Sequence, residues 1–121
     1  MKTVVKESGV SGRGVFATKN IRKGKRFLVN PILLTKKEDA PSLSKTDLAR
    51  YWFEWSKDTY AFAMGHGNFF NHSYKPNAEY CIYKKAKEIV FTAIKTIKKG
   101  EEIFVNYNGD PSCKDKIWFD K

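Results

Sequence analysis

Three short stretches hold the side chains able to do chemistry. In GNFFNHSYKPNAEY (67–80), Asn71, His72 and Ser73 stand directly behind Phe69 and Phe70. The phenyl rings favour burial, whereas polar atoms are costly to bury unpaired. Either a strand ends here in a polar turn closed by Pro76 and Asn77, or a polar pocket turns its side chains toward a ligand. Tyr107 closes EIFVNY (102–107), where its hydroxyl either orients a reactant or belongs to an ordinary strand aromatic. Gly12 and Gly14 flank Arg13 in SGRG (11–14), which is a plain turn or a place where backbone comes close to a ligand.

Several other chemistries are excluded. The chain has no GxxxxGK[ST] phosphate loop, no HExxH and no GxSxG. His66 and His72 are the only histidines, and Cys81 and Cys113 form neither a CxxC nor a Cys/His cluster. No metal site is therefore expected, and both thiols are expected free in a reducing, intracellular compartment. Asn71-His72-Ser73 satisfies the N-glycosylation pattern, but MKTVVKESG lacks the apolar core of a secretory signal. No apolar run approaches the roughly 20 residues of a membrane span.

The elements that must position these residues are mostly strands. With 121 residues, 41% of them hydrophobic, the chain fits one globular domain, residues 1–121. The opening reads as strand, glycine turn, strand, turn, strand as far as Asn30. Further strands are predicted near 59–63, 79–83, 88–94 and at EIFVNY. ATKNIRKGKRF (17–27) and AIKTIKKGEEI (93–103) share A-x-K-x-I-x-K-G, one local device used twice, with Gly24 and Gly100 supplying turns. A helical insert is predicted at about 36–58. Ser44 three residues before Asp47 suggests an N-cap, and Leu48, Tyr51, Trp52 and Trp55 fall at helical spacing, so the helix is placed at about 45–56.

In this order, SGRGVFATKNIRKG, NFFNHSYKPNA and KKGEEIFVNY resemble the SET-domain protein-lysine methyltransferases, in particular the minimal viral and bacterial type without flanking zinc modules. The motifs are a G-x-G, an N-H-S-x-x-P-N and a G-E-E segment ending in tyrosine, and together they span nearly the whole chain. The resemblance implies a mainly β fold of several small sheets with one helical insert and a C-terminal pseudoknot, through which the N-H-S segment is threaded. It implies S-adenosylmethionine as cofactor, held by Gly12, Arg13, Gly14, Asn71 and His72, with Trp118 (and Phe119 beside it) over the adenine. It makes Tyr107 the catalytic tyrosine, sends Phe69 and Phe70 into the core, and lines the lysine channel with Tyr51 and Val105. Tyr74 stands where the family often has cysteine, and Asn106 where aspartate is common. Val105 is smaller than the family's usual Phe or Tyr, so products with two or three methyl groups fit sterically.

Charge bears on partners. Lys and Arg number 23 against 13 Asp and Glu, a net charge of +10. Such a chain repels an isolated basic tail and suits an anionic partner. The expected substrate is a lysine-bearing protein, a histone or another nucleic-acid-associated protein, with a nucleosome easier to approach than a free tail and a homodimer compatible with the sequence. Two other readings stand beside this one: a silent SET fold that only binds a lysine-bearing partner, and a basic nucleic-acid-binding β domain.

Overall fold

A computed structural model of the protein describes residues 2–46 and 51–107. Among these residues, nine strands form two sheets. β1 (Thr3–Glu7), β2 (Arg13–Ala17), β9 (Glu102–Val105) and β6 (Asn71–His72) lie side by side in that order. The second sheet runs β4 (Trp52–Glu54), β5 (Thr59–Ala63), β3 (Arg26–Lys36), β8 (Glu88–Ala93), β7 (Ala78–Tyr83). Every pairing is antiparallel except that of β6 with β9.

One core joins the sheets. Val15, Ile103 and Val105 from the first meet Ile89, Phe91 and Ala63 from the second. Phe70 lies at the centre, its ring 4.5 Å from Phe91 and 6.1 Å from Phe27. Such aromatic burial carries much of the stabilisation in a core of this size. Phe70 is thus 3% exposed, as expected. Phe69 is only half-buried, because its ring lies under the Arg13 guanidinium, 4.7 Å away.

Two expectations about elements are corrected. β3 does not stop at Asn30 but continues through Pro31 to Lys36. Proline lacks the N–H a ladder uses, yet Pro31 still accepts from Met64 N–H at 2.8 Å through its carbonyl and keeps register with Glu88. The helix predicted at about 45–56 is displaced. A 3-10 turn (Lys37–Asp39) leads into α1 (Ala40–Leu43), with proline in its first turn, and Ser44 caps the C-terminal end instead of the N-terminal one. Trp52–Glu54 is a strand: Trp52 stacks on Tyr60 at 4.3 Å, and Phe53 meets Tyr80 edge-on at 5.0 Å. The helical spacing of these aromatics was coincidental. Cross-strand pairing on β5 buries them better than one helical stripe would. Leu48 lies outside the described residues. No helix among the described residues is long and apolar enough to cross a membrane.

Candidate active site

The site forms where β6 lies against β9. Asn71 pairs with Phe104 and His72 with Val105, in parallel, and Ser73 N–H donates to the Val105 carbonyl at 3.0 Å. Two residues of strand suffice because Phe70, just before them, is anchored in the core. Beyond Val105 the ladder continues through a side chain: Tyr107 N–H donates to His72 Nδ1 at 3.0 Å. An accepting Nδ1 places the hydrogen of a neutral imidazole on Nε2. The Tyr107 hydroxyl donates to the Phe70 carbonyl at 2.5 Å, which fixes where the phenol oxygen stands.

The glycine turn is tied to this strand pair by Asn71. Its amide nitrogen lies 3.1 Å from the Ser11 carbonyl, 3.3 Å from the Arg13 carbonyl and 2.8 Å from Glu102 Oε2. The other Glu102 oxygen accepts from Ser8 Oγ at 2.7 Å. Gly14 is required here. A Cβ would clash with the Glu102 carboxylate and come 3.0 Å from Asn71 Nδ2. Gly12 serves differently, having φ +47° and open space where a Cβ would stand. A ligand can approach its backbone.

Of the residues singled out in the sequence, Gly12, Arg13, Gly14, Asn71, His72 and Tyr107 therefore adjoin one another. Arg13 enters through its carbonyl, while its guanidinium covers Phe69. Tyr51 is half-buried with its ring tilted against Phe69 at 6.0 Å. Val105 is 2% exposed and belongs to the core cluster. Trp118 and Phe119 lie outside the described residues, as does the chain that would close the expected pseudoknot. Among the described residues no group of three or more His, Cys, Asp or Glu is placed to hold a metal.

Four supporting residues escaped the sequence reading. Glu102 and Asn77 belong to quoted motifs but were given no role. Asn77 acts as a side-chain strand: its amide donates to the Glu102 carbonyl at 2.9 Å and accepts from Phe104 N–H at 2.8 Å. Asn30 is buried and accepts from Gly67 N–H at 2.8 Å, fixing the turn ahead of Phe69. Tyr80 donates to the Tyr107 carbonyl at 3.3 Å, and burial pushes its phenol up to about 12. It remains a neutral donor throughout the physiological range.

Residues 12–108 match the family model of the SET domain. The chain belongs to the SET-domain family. Its mainly β architecture, protein-lysine methyltransferase class and S-adenosylmethionine as methyl donor go with that membership. This SET domain is 28% identical over 117 residues to the Schizosaccharomyces pombe histone-lysine N-methyltransferase specific for H3 lysine-37, covering 96% of this chain and 76% of that protein. A candidate histone methyltransferase of Plasmodium falciparum has a similar structure, with TM-score 0.73 and 27% identity, the match covering 88% of this chain and 92% of that one. The Chaetomium thermophilum Polycomb Repressive Complex 2, solved bound to S-adenosylmethionine, shares the fold at TM-score 0.73 and 24% identity. That match covers 87% of this chain and only 15% of the other.

Proposed function

We propose that this SET domain methylates a lysine of a histone or another basic, nucleic-acid-associated protein, with Tyr107 as the catalytic residue. The observation that carries the proposal is the closure of Tyr107 onto the N-H-S segment through two hydrogen bonds, to His72 Nδ1 and to the Phe70 carbonyl. The protein substrates named for the S. pombe and P. falciparum relatives are histones, which supports a basic protein as the methyl acceptor.

The donor supplies a sulfonium-bound methyl group. The residues present fit it: Gly12 leaves its backbone open, and Asn71, His72, Asn106 and Tyr107 place polar groups around the β6–β9 junction. Gly12, Arg13 and Gly14 would hold it through backbone, with Asn71 fixing the shape of that turn. A lysine with an ordinary pKa of about 10.4 must lose its proton, at a cost of about 4–5 kcal/mol at pH 7. Desolvation among Tyr51, Phe69 and Tyr107 lowers that cost, so no dedicated base is required. When bound, the donor would supply its methyl group to the amine lone pair and its sulfur would keep the electrons of the broken S–C bond. Tyr107, its hydroxyl held by the Phe70 carbonyl, presents the phenol oxygen that aligns the amine. Such alignment contributes several kcal/mol to the rate. Val105 is packed into the core beneath this surface, and its side chain is smaller than a phenyl or phenol ring, which favours more than one methyl transfer.

Incubation with a labelled methyl donor, free histones, nucleosomes and cell lysate tests the reading. Methyl-lysine on a protein acceptor, lost in Tyr107→Phe, supports it. Cofactor binding without transfer to any acceptor would replace it with a lysine-binding module.

A further inference from the structure

The repeated A-x-K-x-I-x-K-G phrase folds into a local two-fold. Each bond made by the first copy is returned by the second, 76 residues on. Ile21 N–H donates to the Ile97 carbonyl at 2.7 Å and Ile97 N–H to the Ile21 carbonyl at 2.8 Å. Gly24 N–H reaches the Ala93 carbonyl at 2.7 Å, and Gly100 N–H the Ala17 carbonyl at 2.8 Å. Ala17 N–H donates to Glu101 and Ala93 N–H to Lys25, at 2.9 and 3.0 Å. Gly24 and Gly100 share a left-handed backbone, φ +87° and +90°. The two isoleucines seal the axis and are almost wholly buried.

This device displays charge as well as closing two turns. Three basic positions repeat across the axis: Lys19 with Lys95, Arg22 with Lys98, and Lys23 with Lys99, all exposed. Lys25 adds a seventh cation. The acids of the second copy offset them only in part. Glu102 is turned inward onto Asn71 and Ser8, and Glu101 accepts from Lys98 N–H at 2.6 Å. The ion pairs between described residues, Lys36–Glu38 and Lys37–Glu54, lie elsewhere.

We propose that this two-fold basic surface docks the phosphate backbone of duplex DNA. A duplex has local two-fold axes across its strands, which two-fold-related protein elements match. Duplex is favoured over single strand because neither turn presents a fully exposed aromatic on which bases would stack: Phe27 is buried, and Phe16 is half-buried with the Lys6 ammonium 4.5 Å over its ring. Lys99 precedes Tyr107 by eight residues, at most about 27 Å of extended chain, so bound DNA stands within that reach of Tyr107. It would also offset the positive field that repels a lysine-rich tail. The inference does not depend on methyl transfer.

The test is anisotropy of a labelled short DNA duplex titrated with the protein, without cofactor, between about 50 and 200 mM salt. Four phosphates engaged predict a slope of log affinity against log salt of roughly −3 to −4. The variant Lys19→Glu/Lys23→Glu/Lys95→Glu/Lys99→Glu should lose at least about 10-fold in affinity, more at low salt. The control Lys75→Glu/Lys84→Glu/Lys85→Glu/Lys87→Glu carries the same charge change elsewhere and should lose far less. Melting temperature and S-adenosylmethionine affinity, unchanged in both, show that they are folded. An equal loss in the two variants, tighter binding to polyglutamate than to duplex, or no duplex binding at the lowest salt would overturn the proposal.

Discussion

Tyr107 N–H donates to His72 Nδ1, so the strand that carries the reactive hydroxyl is completed by an imidazole and not by backbone. The arrangement makes the backbone N–H of Tyr107 depend on a side chain, while Tyr80 and the Phe70 carbonyl hold its carbonyl and hydroxyl. His72→Ala leaves that N–H without its acceptor, at a cost of about 1–3 kcal/mol, and should lower turnover as well as stability. Asn places an oxygen close to where Nδ1 stood. His72→Asn should therefore recover most of the stability in thermal melts, and failure to do so would show that the ring's packing on Tyr74 and Tyr107 matters more than its acceptor.

The two glycines of the turn should respond differently to alanine. At Gly14 the added methyl drives into Glu102 and Asn71, so Gly14→Ala should cost about 1–3 kcal/mol and weaken cofactor binding as the turn shifts. At Gly12 nothing is struck, and only the positive φ resists, about 1 kcal/mol. Calorimetric titration with S-adenosylmethionine on both variants checks the order; equal effects would contradict the distinct roles.

Tyr80 sets an alkaline limit. Below pH 10 both folded and unfolded chains keep its proton, and stability does not respond to it. Between about 10 and 12 the unfolded chain ionises first while burial holds the folded phenol neutral, so stability falls across that window. Tyr80→Phe should flatten that part of the pH profile in denaturant melts, while forfeiting the bond to the Tyr107 carbonyl. An unchanged alkaline slope would show that another group is responsible.

Much of this site was legible because its residues are locally punctuated. Gly12-Arg13-Gly14 and Asn71-His72-Ser73 combine residue types that neither a plain strand nor a plain helix wants, and they adjoin one another in the fold. Strands such as Thr59–Ala63 and Glu88–Ala93 were visible from β-favouring runs between turn signals. Trp52–Glu54 was not, since one leucine and three aromatics at helical spacing look the same until the partner strand is known. Asn77 and Asn30 act by bonding to backbone far away in sequence, Phe104 and Gly67, and no local pattern encodes such a partner. The two-fold was half visible: the repeat could be read, but the exchange of bonds between its copies is a property of the folded chain.

The most direct test of the whole account is turnover of Tyr107→Phe, with S-adenosylmethionine affinity and melting temperature taken on the same preparation. The change removes one hydroxyl, hence the bond to Phe70 and about 1 kcal/mol of stability. The variant should fold, bind the cofactor normally and transfer methyl groups at least about 100-fold more slowly, equivalent to about 2.7 kcal/mol in the barrier. Turnover close to wild type would contradict it and leave Tyr107 a structural residue of the strand end.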